Sequence, residues 1–299
     1  MKADSVRPAA AGRTSTTPEP ISYDDSFRTA AALPMPSLLT VGLARAALET
    51  KSYFRNRQAV VFTIALPAVL LVLFGAIFKG NAGDTNVPMN QVLIAGIIAS
   101  GLMSTTFSSL AVGIAIERDD GTLTRLAATP MPKAAYFIGK LVLVFVTGVA
   151  ETALLLAIGT IFYGLKLPSD AGHWLTLAWV VSLGIVSCAL TGIAYSRLAP
   201  NARSAAAIVQ LPFLSLQLIS GVFFLFTDLP KPMQTIAAVF PLKWLAQGLR
   251  SVFLPDSFAT AEAAGGWEHG RIAIVLAVWT VAAFGACLAT FRWLPGRER

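Results

Sequence analysis

Residues 141–165 read LVLVFVTGVAETALLLAIGTIFYGL, lie between Lys140 and Lys166, and hold one charged side chain, Glu151. A helix rising ~1.5 Å per residue needs ~20 apolar residues to cross ~30 Å of hydrocarbon, so this stretch is long enough to span a bilayer. Similar windows recur on both sides. Residues 59–78 carry no charge and include Pro67, which should kink or loosen the helix. Further spans are expected within the uncharged stretch Thr85 to Ile116, between His173 and Arg197, between Arg203 and Asp228, and over 272–291. The pattern predicts an all-α integral membrane protein with six transmembrane helices. The whole-chain figures agree: of 299 residues, 55% are hydrophobic and 13% charged, with mean hydropathy +0.67, whereas about a quarter of a soluble domain is charged.

The chain carries 23 Lys and Arg against 16 Asp and Glu. Here that surplus reports topology rather than a nucleic-acid partner, because basic residues gather at cytoplasmic helix ends facing anionic membrane lipids. One side collects Arg45, Lys51, Arg55, Arg57, Arg118, Arg125, Lys133, Lys140, Arg197, Arg203, Arg292, Arg297 and Arg299; the other has Lys79, Lys166, Lys231, Lys243, Arg250 and Arg271, spread over longer connections. Both termini are therefore expected in the cytoplasm, with the protein in the plasma membrane. Cys188 and Cys287 fall in apolar spans, and His173 and His269 lie far apart, so neither a metal site nor a disulfide framework is expected.

The flanking segments divide the chain further. Residues 1–36, with five prolines and no apolar run, read as a disordered cytoplasmic tail. Residues 37–57 mix Leu38, Val41, Leu48 and Phe54 with charges and read as an amphipathic interfacial helix. Residues 58–294 form the six-helix domain and 295–299 a short cytoplasmic tail. The apolar run Met233 to Phe240 is too short to cross and ends at Pro241, which points to a re-entrant or surface-lying helical hairpin between spans five and six.

Three polar features stand out within the spans. The second holds Gly96, Ser100, Ser104 and Ser108 in one row and Gly101, Thr105, Ser109 and Gly113 in another. Such a face allows close helix packing or lines a pathway. In the fifth, Gln210, Leu214, Gln217 and Gly221 share a stripe near Pro212; buried amides need partners, either on another helix or along a substrate route. Glu151 adds ~2.5 to 3.5 kcal/mol to insertion. It is expected to face the bundle interior, as a hydrogen-bonded structural group or as a proton-coupling or substrate-binding acid.

The connection between spans two and three runs Glu117-Arg118-Asp119-Asp120-Gly121-Thr122-Leu123-Thr124-Arg125-Leu126 and on to Thr129-Pro130. It is charged, short and helix-prone, with Leu123 and Leu126 as an apolar edge. This connection resembles the signature of the type-two family of ABC-transporter permeases, in which Glu-Arg, an acidic residue, Gly-Thr-Leu, a Leu and a Thr-Pro follow the second span; Thr124 stands where an acidic residue is common. Arg55-Asn56-Arg57, Leu73-Phe74-Gly75, Ser220-Gly221-Val222-Phe223-Phe224, Leu229-Pro230 and Phe240-Pro241-Leu242-Lys243-Trp244 are also similar to the family.

The resemblance implies that Glu117 to Pro130 form a coupling helix seated on a separate ABC ATPase subunit, which would hold ATP and Mg. It also implies that two permease subunits, identical or related, enclose a pathway lined by Ser100, Ser104, Thr105, Ser108, Gln210 and Gln217. The daunorubicin-resistance-like branch implies an amphiphilic cargo such as a drug, antibiotic or lipid-like molecule. No Gly-x-x-x-x-Gly-Lys-Ser/Thr loop occurs in the chain, so ATP hydrolysis is expected on another polypeptide. The alternative is an ion-coupled secondary transporter using Glu151, which would usually need more ionisable residues in the spans. An intramembrane enzyme is disfavoured by the absence of paired aspartates or a His-Glu-x-x-His motif.

Overall fold

A computed structural model describes residues 37–290. The expected N-terminal tail, the last residues of the sixth span and the C-terminal tail lie outside the described residues. Within them the chain forms helices α1 (Leu38–Arg55), α2 (Arg57–Ile77) and α3 (Met89–Met103), a π-helical turn (Ser104–Ser108), and α4 (Ser109–Asp119) and α5 (Thr122–Ala127). There follow α6 (Lys133–Tyr163), α7 (Ala171–Tyr195), α8 (Ala202–Ile219), α9 (Lys231–Ala237), α10 (Pro241–Phe253) and α11 (His269–Thr290). The described residues contain no strand beyond an isolated bridge between Asn81 and Pro88.

Five of these helices are long and apolar enough to cross a membrane: Met89–Asp119, Lys133–Tyr163, Ala171–Leu198, Ala202–Ile219 and His269–Ala289. The first expected span is represented by the shorter apolar stretch Thr63–Ile77 within α2. Sequence signals set several boundaries. Asp170 caps α7 by accepting from the Gly172 amide at 2.9 Å, and Asn201 caps α8 by accepting from the Ser204 amide at 2.9 Å. Pro241 opens α10, where its missing N–H costs nothing. The fifth span ends earlier than expected, at Ile219, where Gly221 turns the chain at φ 71°.

The Met89–Asp119 helix is the axis of the bundle. It is buried along almost its whole length and packs against α2, α6, α7, α8 and α10. Leu93, Ile94, Ile97, Ile98 and Leu102 supply its apolar contacts, and the small residues between them let neighbouring backbones approach.

All 13 residues of α10 are buried, although Lys243, Gln247 and Arg250 fall on one stripe at i, i+4 and i+7. These lysine and arginine side chains are not exposed flanking charges, as basic-residue counting assumed. Instead the segment after α10 folds back over them. Arg250 pairs with Glu262 through Nε at 2.6 Å and Nη2 at 3.2 Å, and its Nη1 donates to the Gly221 carbonyl at 3.1 Å. Lys243 donates to Gln247 at 2.6 Å, lies 4.0 Å from Glu268, and stacks 3.5 Å over the Trp244 ring. The cluster ties the end of α8, α10 and residues 262–268 into one block.

Two outcomes follow. Arg250→Met leaves Glu262 charged and buried without its partner; a loss of about 3–5 kcal/mol is expected, read as a fall in thermal midpoint of the detergent-solubilised protein, whereas Arg271→Met at the exposed neighbour should change little. Burial pushes the Lys243 ammonium down to about 8 from an ordinary 10.5. Between those values the unfolded chain binds the extra proton, so this residue makes stability rise with pH from about 8 to 10.5. Lys243→Met should flatten that part of the stability curve.

Candidate functional site

The end of the bundle carrying Asp119, Lys133, Arg197 and Arg203, here called the basic end, presents the loop singled out by sequence. Asp120 and Gly121 turn the chain out of α4, Gly121 at φ 76°, in the left-handed region that costs other residues about 1–2 kcal/mol. The Asp120 carboxylate accepts from the Thr122 amide at 2.8 Å, and bonds from Thr122 hold that carboxyl below its usual range. Thr129 closes the short helix by donating to the Leu126 carbonyl at 2.6 Å.

The loop divides into an inward and an outward set. Glu117 accepts from the Tyr136 hydroxyl at 2.7 Å and pairs with Lys140, which also bonds Glu49 of α1 at 2.9 Å. Arg45 donates to the same Glu49 at 2.5 Å. Sequence reading placed Lys140 as a flank of the third span, but α6 begins a full turn and more earlier and Lys140 is buried within it. Arg118 donates to the Ser196 carbonyl at 3.2 Å and to that of Ala199, and Asp119 accepts from the Ala202 amide at 3.2 Å. Leu123 is buried and Leu126 packs on the core, so the apolar edge of α5 faces its own bundle. Asp120, Thr124, Arg125, Ala128, Thr129 and Pro130 are exposed, as is Asp119 despite its bond to Ala202, and Gly121 and Thr122 are half-buried.

Deeper in the bundle, the glutamine stripe and the serine row meet. Gln217 donates to Ser100 and Gln210 to Ser108 at 3.1 Å, two rungs between antiparallel helices. Ser100, Ser108 and Gln217 are buried, and Gln210 is exposed. Ser104 makes no such rung: the π-turn runs through it, and its carbonyl accepts from the Ser109 hydroxyl at 3.2 Å. Against the same turn, Gly192 of α7 lies so close that an added Cβ would stand 2.5 Å from the Phe107 carbonyl oxygen.

The second small-residue row faces α6. Glu151 is 1% exposed and accepts from the Thr105 hydroxyl, while its Oε1 has no hydrogen-bond partner among the described residues. Gly101 leaves room for it: a Cβ there would lie 2.5 Å from that oxygen. Glu151 therefore faces the bundle interior, with Thr105 as its partner. No group of His, Cys, Asp and Glu among the described residues could hold a metal ion. Both cysteines are buried, Cys287 donating to the Leu190 carbonyl at 3.2 Å.

The charged loop thus joins Met89–Asp119 to Lys133–Tyr163 in a helical bundle with several helices long and apolar enough to cross a membrane, and residues 44–254 match the family described as ABC-2 type transporter. The chain belongs to that family, whose members are the permease subunits of ABC transporters. Among curated relatives, the chain named as transport permease ycf38 of Porphyra purpurea is 26% identical over 213 residues, covering 67% of this chain and 69% of that one. The multidrug ABC transporter permease YbhR of Escherichia coli strain K12 is 24% identical over 165 residues, which span 55% of this chain and 43% of the relative.

The Gly101–Glu151 contact generates a sign reversal. In wild type, Gly101→Ala forces a methyl against the carboxylate and is expected to destabilise by about 1–3 kcal/mol. In a Glu151→Ala background the same change meets only Pro67 Cβ, at the ordinary contact distance of 3.5 Å, and gains the higher helix propensity of alanine, so it should stabilise. Thermal midpoints of the four proteins test this; simple additivity would sink it.

Proposed function

We propose that this chain is the membrane subunit of an ATP-driven exporter in the plasma membrane, with its basic end and both termini in the cytoplasm. Six spans result when α2 crosses together with the five longer helices. In this reading α1 lies along the interface, and α9 and α10 form the re-entrant hairpin on the far side. The observation that carries the proposal is the division of the α4–α5 loop. Glu117, Arg118, Asp119, Leu123 and Leu126 are committed to contacts within the chain, which leaves Asp120, Thr124, Arg125, Thr129 and Pro130 as a rigidly mounted exposed edge.

A separate ATPase subunit holding ATP and Mg docks on that edge. Its motion reaches α6 and α1 through Glu117, Lys140 and Glu49, and reaches α7 and α8 through Arg118 and Asp119. A differential contact of this kind in the two nucleotide states is what a driven conformational change requires. A second permease chain, identical or related, completes the pathway, with the exposed face of α8 around Gln210 as its lining. An amphiphilic cargo, such as a drug, antibiotic or lipid-like molecule, suits the apolar surroundings of that face, and the name of the Escherichia coli relative points the same way.

Arg125→Glu tests the docking edge without touching the inward set. Purified gently from its native membrane, the wild-type chain should bring an ATPase with it, and the variant should retain at least tenfold less while keeping its thermal midpoint. A wild-type chain that purifies alone and transports without nucleotide would replace the exporter with ion coupling through Glu151.

A further inference from the structure

On the side of the bundle away from α8, helices α6 and α11 both pack on α7 and leave a hollow of about 790 Å³ between them. Phe137 and Leu141 form one wall, Val281 and Phe284 the other, and Leu190 the floor; Lys133 stands at its outer end. We propose that this groove binds one anionic phospholipid, with an acyl chain along the apolar walls and the phosphate at the Lys133 ammonium.

Three observations carry this. The hollow follows α11 from Leu288 at the basic end to Thr280, eight residues or about 12 Å, close to the ~15 Å depth of one leaflet. Its walls are apolar along that length, and Val281 is 72% and Phe284 53% exposed, so the chain leaves large side chains uncovered in a concave surface rather than on a flat helix face. Among the described residues, Lys133 is the only charged one in its lining, exposed at the basic end where α6 begins, at the level of lipid headgroups, and no acidic side chain among them lines the groove. A cation at the headgroup end of a chain-shaped apolar slot fits an anionic lipid and disfavours a symmetric contact with a second copy, which would bring two such lysines together.

The test is native mass spectrometry of the full chain in mild detergent with equal amounts of phosphatidylglycerol and phosphatidylcholine carrying the same palmitoyl and oleoyl chains. Wild type should retain one phosphatidylglycerol in about fivefold preference, the discrimination that one basic side chain gives at an anionic surface. Lys133→Gln should bring the ratio to about one without loss of total lipid, and Val281→Trp, which fills the slot from an exposed position, should lose both lipids. Equal retention by wild type, a preference unmoved by Lys133→Gln, or a dimer that Val281→Trp dissolves would each overturn the assignment.

Discussion

In hydrocarbon a polar side chain has no water to turn to, so one that enters the bundle bonds either to a carbonyl of its own helix, as Thr106 and Thr152 do, or to a side chain on another. The central helix of this permease is built around that constraint. Ser100 and Ser108 meet the two glutamines of α8, and Thr105 meets Glu151 of α6. Each contact is worth only about 0.6–2 kcal/mol, but each also fixes a rotation and a height. Apolar packing alone would leave neighbouring helices free to slide, because lipid tails satisfy a leucine as well as another leucine does.

The same logic governs the two ends. At the basic end Lys140 is shared between Glu49 and Glu117, while Arg118 and Asp119 secure the junction of α7 and α8. At the opposite end Arg250 and Lys243 are buried beneath residues 262–268. Charged groups in such places contribute less to net stability than to uniqueness of arrangement, since the cost of leaving one unpaired excludes other packings. The bundle is thus held at its middle by side-chain hydrogen bonds between helices and at its ends by ion pairs.

Much of this was legible in the chain. Apolar length located the long helices, and the charged loop stood out by composition before any likeness was drawn. Spacing also placed Ser100 and Ser108 in one row and Gln210 and Gln217 on one stripe. What the sequence could not supply was the partner of each group. Lys140 reads as a helix flank until α1 is seen to bring Glu49 beside it. Lys243, Gln247 and Arg250 show helical spacing, yet their burial depends on Glu262 and Glu268, beyond a loop. Leu123 and Leu126 look like an edge offered to a partner, and it took the fold to show that they face inward. The π-turn left no signal at all, because Ser, Thr and Phe are ordinary helix contents.

That turn has a consequence for how the gene can vary. A π-turn holds one residue more than the α-helical turn it replaces, so the side chains beyond it keep the orientation they would have without that residue. Deleting a single residue from 104–108 would therefore let an ordinary α-turn close in its place and leave Glu117, Arg118 and Asp119 facing Lys140, Ala199 and Ala202. The same deletion a turn to either side, in the α-helix, would swing those three residues by about 100°. The span can thus shorten by one residue at the wide turn and nowhere else without breaking the joints at its helix end.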